Sequence, residues 1–430
     1  MSTPLCRERI GDGVYFSSVG EDKFKSDRIT VCFVAPLKRE DAAENAIVPF
    51  ILRKGCRAFP DFTLLNKKLA RLYGAILDAD VTKYGDRQMM HVSIQALDDR
   101  YAIGGDEMVR ECAELLASVV LEPNFDADGL FPEKDLELER QYLVDTIDSD
   151  LNDKRIYAIK RCTGIMFRDE PFGVRRYGNR DEAGRITRQA ATRAWERLVR
   201  TARVEIIFTG AGNAEAAKRV FAEKFSALER EPVEFVKPAI KAKAGAFVSE
   251  DEKMDVAQGK LVMGYRCGAP ESREDINAMR VMSAMFGATP FSKLFNNVRE
   301  KMSLCYYCIS RYDRPTGVMI VDSGVETANR QAAQDEIQNQ LSLMAAGDFT
   351  DEELANTILI MKNGLQTVGD MLDTIEGWYL TRILEDDSLT PEEDAADIEK
   401  VTAQQVRLAA AKAELETVYF LHGEEAAGDD

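Results

Sequence analysis

Histidine is nearly absent from this chain of 430 residues, which contains only His91 and His422. No two histidines therefore have the i, i+4 spacing that places a pair of metal ligands on one face of a helix. His91 alternates with apolar residues in "QMMHVSIQ", and His422 ends the strand-like "VYFLH". Both isolated histidines are predicted to be structural, and a zinc site built on a histidine pair is excluded.

Long apolar runs are also missing. No segment approaches the ~20 apolar residues that a membrane helix needs, and the start "MSTPLCRERIGDG" is too polar for a signal peptide. Hydrophobic residues make up 45% of the chain and charged residues 30%, which is typical of a soluble globular protein. The sequence predicts a cytoplasmic protein without a membrane partner.

Basic residues are not in excess in this chain, and its cysteines show no disulfide pattern. Lys and Arg number 56 against 74 Asp and Glu, a net charge of -18, which argues against binding nucleic acid. Eight scattered cysteines do not form a disulfide framework. Cys305 and Cys308 form a lone CxxC, and without further ligands nearby this pair is interpreted as structural.

What the chain does have is an internal repeat. Residues 29–55 and 260–287 both read as an alternating strand, a polar turn and an apolar helix. The matched positions lie 232 residues apart and include Asn45 with Asn277, Ala46 with Ala278, Gly55 with Gly287 and Phe59 with Phe291. The simplest account is two homologous halves.

Each half places strands early and helices late, which favours an α+β fold. We expect an N-terminal half over residues 1–225, a linker over 226–246 and a C-terminal half over 247–430. Each half is predicted to be an antiparallel sheet with a mixed edge and helices packed on one face. The two halves are expected to face each other across a cleft.

Three segments point to a known family. They are "NAIVPFILRKG" (45–55), "PFGVRRYG" (171–178) and "REKMSLCYY" (299–307). With the duplicated layout, they resemble the insulinase/pitrilysin (inverzincin) family of zinc peptidases over nearly the whole chain. The likeness is greatest to short, two-half subunits that work in pairs, in which one subunit carries zinc and the other does not. It implies an insulinase-like fold in both halves.

The histidines and the glutamate of the family's His-x-x-Glu-His helix are replaced in this sequence. Counting back from Lys54 and Gly55, the signature positions fall on Ala46, Pro49 and Phe50, none of which binds zinc or accepts a proton. A proline in a helix interior is costly, and an N-cap at Asn45 would bring Pro49 close to the helix start.

The resemblance places the third zinc ligand in "LELERQYLVDTIDSD" at Thr146. A shift of one residue would make Asp145 the surviving carboxylate, but one carboxylate is still an incomplete site. Glu139 matches a glutamate that the family uses as a supporting residue. Read alone, Glu139 is typical of a solvated helix charge.

A second set of family residues is present. The family's C-terminal half supplies an arginine and a tyrosine seven residues apart, which contact the substrate backbone and the oxyanion. The resemblance gives these roles to Arg299 and Tyr306. The plainer alternative is a surface arginine and a half-buried strand tyrosine.

Three hypotheses follow for the function. The chain is a non-catalytic subunit of a heterodimeric zinc metallopeptidase, inactive alone, that lends Arg299 and Tyr306 to a partner with an intact His-x-x-Glu-His motif. Alternatively, it is a scaffold or peptide-binding protein with no role in hydrolysis, or an enzyme of another class with an unrecognised site. We predict no cofactor in this chain and zinc in the partner. The expected ligands are extended peptides or unfolded segments that add a strand to a sheet edge.

Overall fold

The computed structural model describes residues 4–234 and 240–423. The strands are β1 (Cys6–Gly11), β2 (Val14–Gly20), β3 (Ser26–Pro36), β4 (Ile76–Tyr84), β5 (Arg87–Leu97), β6 (Arg203–Gly210), β7 (Val248–Lys253), β8 (Gly259–Arg266), β9 (Cys305–Asp313), β10 (Val318–Val325) and β11 (Glu414–His422). They form one sheet of six strands and one of five, and none is shared between the sheets.

Helices follow the strands in both halves of the sequence. The α-helices are α1 (Ala42–Leu52), α2 (Phe62–Arg71), α3 (Met108–Leu121), α4 (Glu133–Ser149), α5 (Lys154–Met166), α6 (Arg180–Gly184), α7 (Arg188–Thr201), α8 (Ala214–Ser226), α9 (Arg273–Ser283), α10 (Arg330–Ala346), α11 (Asp351–Gln366), α12 (Leu372–Leu384), α13 (Pro391–Ile398) and α14 (Ala403–Lys412). Two π-helical segments, Ala284–Ala288 and Leu294–Lys301, follow α9. In the part of the chain described, no helix combines the length and the apolar character needed to cross a membrane.

The first sheet has the strand order β1-β2-β6-β3-β5-β4. Only the β2–β6 pair is parallel, and β3 pairs with β5 along its whole length. Along β3, Ile29, Val31 and Phe33 point into the main core beneath α1, α3 and α7, as the period of two along a strand requires. The edge strand β4 pairs only with β5 among the strands described.

The second sheet repeats this plan with the order β7-β11-β8-β10-β9. Only β7 and β11 run parallel. α9 follows β8 as α1 follows β3, and Asn277 is buried in α9 as Asn45 is in α1. The predicted α+β class with two mixed-edge antiparallel sheets is confirmed.

The chain divides into two compact units. Unit 1 contains Met1–Asp148, Val174–Lys237 and Val368–Thr390, and unit 2 contains Ser149–Gly173, Pro238–Thr367 and Pro391–Asp430. The predicted halves contain the two sheets in full, but each unit also includes one segment from the other half. Between α8 and β7, the described residues of the predicted linker form neither helix nor strand, and residues 235–239 lie outside the described part.

The helix α12 explains why Val368–Thr390 belongs to unit 1. Its side chains Leu380, Ile383 and Leu384 pack on the face of β3, β5 and β6 that points away from the main core. On the same helix, the Glu376 carboxylate accepts hydrogen bonds from Arg28 Nε at 2.9 Å and Thr30 Oγ1 at 2.6 Å. The sequence predicted helices on one face of the sheet, whereas helices cover both faces of this one, with α12 on the second face.

The helix α5 occupies the corresponding place in unit 2. Its Ala158 and Cys162 are buried against Val262 of β8 and Tyr419 and Leu421 of β11. These side chains alternate with the residues that point toward the other face of the sheet. Both sheets thus have apolar residues on two faces, which accounts for their near-continuous apolar strands.

One buried carboxylate makes the stability of unit 1 depend on pH. Asp27 of β3 accepts hydrogen bonds through Oδ1 from the backbone N–H groups of Ala211 at 2.9 Å and Gly212 at 3.1 Å. Burial raises the pKa of Asp27 from 3.8 to about 6, against the lowering effect of these backbone donors. The folded chain therefore keeps this proton to a higher pH than the unfolded chain does.

We expect the free energy of unfolding to fall as pH rises from about 4 to about 6, by at most about 3 kcal/mol from this group, and to level off above. The Asp27→Asn variant should lose this part of the slope, because the amide does not titrate. Urea unfolding across this pH range measures it, with the exposed Asp128→Asn variant as the control. An unchanged slope in Asp27→Asn would contradict the assignment.

Candidate functional site

The signature helix α1 is a buried packing element. It begins at Ala42 after Asp41 in the N-cap position, and every residue in it except Glu44 is buried. The N-cap predicted at Asn45 is wrong, because the helix starts three residues earlier. Pro49 therefore lies in the helix interior, where its backbone donates no hydrogen bond.

Asn45 has a different role from the one predicted. Its side chain is buried and donates from Nδ2 to Gln88 Oε1 at 3.1 Å, while its Oδ1 accepts from Arg197 at 2.9 Å. Gln88 in turn donates to the carbonyl oxygen of Ala42 at 2.8 Å. This network fixes the start of α1 against β5 and α7. Nothing in the local sequence pattern around Gln88 or Arg197 indicated it.

The signature positions are filled by apolar contacts. Ala46 has no exposed surface, and Phe50 is 3% exposed. The ring of Phe50 packs edge-on against Tyr142 at 5.5 Å between centroids and lies 6.4 Å from Tyr177. The Arg53 guanidinium lies 5.3 Å from the Phe50 centroid and 5.5 Å from that of Tyr142. We call Phe50, Arg53, Tyr142 and Tyr177 the aromatic cluster.

Sequence reasoning missed the aromatic cluster, although signals for it exist. Tyr142 lies one helical turn before Thr146 on α4, and Tyr177 lies in the "PFGVRRYG" segment. The Thr146 hydroxyl donates to the carbonyl oxygen of Tyr142 at 2.7 Å. The third-ligand position is thus part of a helix turn that carries an aromatic side chain.

The two acidic candidates on α4 lie in different environments. Asp145 is exposed and accepts from Gln141 at 2.7 Å. Glu139 is 1% exposed and pairs with Lys54 Nζ at 2.5 Å and Arg53 at 3.4 Å. The alternative in which Glu139 is a solvated helix charge is wrong, because its carboxylate joins α4 to the end of α1.

These residues do not fit a zinc ion. Ala46, Pro49 and Phe50 offer no side-chain donor, and Thr146 uses its hydroxyl within α4. Within the described residues there is no cluster of three or more His, Cys, Asp or Glu side chains that could bind a metal. His91 lies on β5 with Thr82 Oγ1 at 2.8 Å from its Nε2. His422 ends β11 and stacks on Phe420.

Arg299 and Tyr306 come together in unit 2. Both line one open cavity of about 390 Å³, together with Glu300, Ser303, Leu304, Cys305, Glu326 and Asn329. Arg299 lies in the last turn of the π-helical segment Leu294–Lys301, and Tyr306 is the second residue of β9. The last turn of the π-helical segment lies close to the start of β9. The side chains of Arg299 and Tyr306 are therefore at the same end of the sheet.

The cavity presents donors and acceptors close together. Tyr306 is 65% exposed, so its hydroxyl is free of the core. Arg299 Nε lies 3.5 Å from Glu300 Oε1, and its guanidinium lies 4.7 Å from the Phe295 centroid. The plainer alternative of a half-buried strand tyrosine is wrong, because the side chain of Tyr306 is largely exposed. A guanidinium, a phenol and a carboxylate in one open cavity suit the alternating C=O and N–H groups of a peptide.

Tyr306 also marks an irregularity in β9. Cys305 pairs with Val325 and Tyr307 with Gly324, so Tyr306 has no partner across the strand pair. Such a bulge inserts one extra residue and re-aims its side chain. β9 pairs only with β10 among the described strands, which leaves its other edge available to an extended chain.

Comparisons with known proteins agree with this geometry. Residues 185–361 match the family model described as peptidase M16 inactive domain. The chain is 29% identical over 417 residues, 95% of its length and 96% of the relative's, to a protein of Bacillus subtilis (strain 168) named "Probable inactive metalloprotease YmfF". An uncharacterized zinc protease of Rickettsia bellii is 21% identical over 246 residues, 56% of this chain and 57% of that protein.

Two solved structures share the fold. A conserved protein from Enterococcus faecalis V583 superposes with a TM-score of 0.90 at 25% identity, covering 98% of this chain and 99% of that one. The peptidase M16 inactive domain from Pseudomonas fluorescens gives 0.75 at 16% identity, covering 99% and 100%. With its signature helix filled by Ala46, Pro49 and Phe50, the chain is similar to inactive, metalloprotease-like proteins of the M16, or insulinase, family.

Proposed function

We propose that this chain is the non-catalytic subunit of a heterodimeric insulinase-type zinc metallopeptidase. It binds extended peptides and supplies Arg299 and Tyr306 to the active site of a partner that has an intact His-x-x-Glu-His helix. The observation that carries the proposal is the shared cavity of Arg299 and Tyr306, in a chain whose own signature helix has no metal ligands. Zinc is expected in the partner and no cofactor in this chain.

Each residue has a role that its chemistry supports. The planar fork of Arg299 donors binds peptide carbonyl oxygens, and the exposed Tyr306 hydroxyl donates to the oxygen on which negative charge develops. Peptide main chain adds beside β9, whose outer edge bears the bulge at Tyr306. The substrates are peptides or unfolded segments, because their main chain is free to extend and pair as an added strand.

Identification of the partner tests the proposal directly. The tagged chain is purified from its own cells, and proteins that co-elute are identified by mass spectrometry. We expect an M16 chain with an intact His-x-x-Glu-His motif, and peptide cleavage by the mixture but by neither chain alone. If no such chain co-elutes and purified candidates do not restore cleavage, the proposal fails and the scaffold function replaces it.

A second prediction concerns metal content. The purified chain should contain no stoichiometric zinc and cleave no peptide by itself, because Ala46, Pro49, Phe50 and Thr146 provide no ligand set. Metal analysis by inductively coupled plasma mass spectrometry measures this, with the reconstituted pair as the positive control. One zinc per chain, lost in the exposed Asp145→Ala variant, would contradict it.

A further inference from the structure

The bulge in β9 changes the relative orientation of the two cysteine side chains in the CxxC pair. In a regular strand, Cys305 and Cys308 would point to opposite faces, because side chains alternate. Here Cys305 lies opposite Val325 and Cys308 opposite Ser323, and Val325 and Ser323 are two residues apart on β10. The extra residue in the bulge therefore places both cysteines side by side on one face of the sheet.

The two thiols differ in access and acidity. Cys305 is 9% exposed and lines the cavity of Arg299 and Tyr306, whereas Cys308 is 4% exposed and does not line it. A hydrogen bond from Cys308 lowers the pKa of Cys305, against the effect of burial, and the charge of Arg299 lowers it further. Burial raises the pKa of Cys308 well above the ordinary range of a thiol.

The other buried cysteines with a shifted pKa provide the contrast. Burial raises the pKa of Cys112 and Cys267 to about 12, and also raises the pKa of Cys32, Cys56 and Cys162. None of these five lines the cavity of Arg299 and Tyr306. Cys305 thus combines a position on the wall of an open cavity, a neighbouring cation and a second thiol on the same face of the strand, which are the features of an oxidation-sensitive cysteine.

We propose that Cys305 and Cys308 form a peroxide-sensitive dithiol on the wall of this cavity. The Cys305 thiolate attacks one oxygen of hydrogen peroxide, the O–O bond breaks, and a sulfenic acid and hydroxide form. The Cys308 sulfur then attacks the Cys305 sulfur, its proton leaves with the departing oxygen as water, and a disulfide closes. Sulfur loses two electrons and peroxide gains them. Tyr306 lies inside the closed ring, so oxidation fixes the bulge that positions it.

Peptide mass spectrometry on the full chain tests the dithiol. Trypsin releases Met302–Arg311, which contains both cysteines. After treatment of the folded protein with hydrogen peroxide and alkylation of the remaining thiols, we expect this peptide to carry an internal disulfide, while Cys267 stays reduced. In the Cys308→Ser variant, dimedone should trap a sulfenic acid at Cys305. In the Cys305→Ser variant, Cys308 should stay reduced.

A pH profile separates this chemistry from simple exposure. The rate of Cys305 alkylation by iodoacetamide should be half-maximal below the ordinary thiol range. At neutral pH it should fall in Cys308→Ala, because alanine removes the neighbouring thiol donor that lowers the pKa of Cys305. The exposed Cys6 is the control thiol on the same chain. A Met302–Arg311 peptide that stays fully reduced when Cys6 is oxidised, or that oxidises only in urea, would overturn the proposal.

Discussion

Tyr306→Phe is expected to lower peptide cleavage by the reconstituted pair roughly a hundred- to a thousand-fold, because one donor to the oxyanion is typically worth about 2.7 to 4 kcal/mol. The substitution removes only a hydroxyl. Since Tyr306 is largely exposed and its neighbours Cys305 and Tyr307 hold β9 in place by pairing with β10, the fold and the assembly should not change. Turnover is measured with a fluorogenic peptide, and assembly of each variant pair by gel filtration.

Arg299→Lys is the companion variant and should also impair cleavage. An ammonium group keeps the charge but cannot reproduce the two parallel donors of a guanidinium. Arg311→Lys is the matched control, because Arg311 is exposed on β9, the strand of Tyr306, and does not line the cavity. Full turnover in both Tyr306→Phe and Arg299→Lys, with assembly intact, would show that the pair is not used. The scaffold function would then take first place.

The sequence predicted the sheets well because their signals are local and repeated. The offset between residues 29–55 and 260–287 marks the same strand and helix in each half, and β3–α1 and β8–α9 follow it. The sequence could not predict which unit buries α5 and α12. A helix shows that it has an apolar side, but the identity of the surface that covers it depends on distant strands.

The candidate site was predictable by position but not by environment. Arg299 and Tyr306 were assigned through the family resemblance, yet the exposure of Tyr306 depends on a bulge that no turn residue signals. The burial of Glu139 was not predicted, because a carboxylate is buried only with a partner. That partner is Lys54, which lies on a different element. A single sequence gives little information about which side chains pair between different helices and strands.

The second large effect concerns the aromatic cluster. Phe50→Ala is expected to lower the free energy of unfolding of unit 1 by about 3 to 5 kcal/mol, because it removes a buried ring and leaves a cavity in α1. Phe50→Leu, which conserves most of the volume, should cost less than about 1.5 kcal/mol. Urea unfolding measures the free energy of unfolding of both variants, and the chain contains a spectroscopic probe of the unfolding of unit 1.

That probe is tryptophan fluorescence. The chain has two tryptophans, and both belong to unit 1. Trp195 donates to the carbonyl oxygen of Val120 at 2.9 Å, and Trp378 to that of Leu389 at 2.8 Å, so each reports loss of local packing. Phe291→Ala, an exposed site in unit 2, is the control and should leave the transition unchanged.

The informative variant is Phe50→His, which moves the helix toward the zinc signature of the family. A metal-binding helix would tolerate it. In this chain the imidazole would enter a buried space lined by Tyr142 and Tyr177, and an unpaired buried polar group costs about 1 to 3 kcal/mol beyond the lost packing. We therefore expect Phe50→His to be less stable than Phe50→Leu, and added zinc not to restore it. Stability equal to wild type would mean that the position is still adapted to a metal ligand.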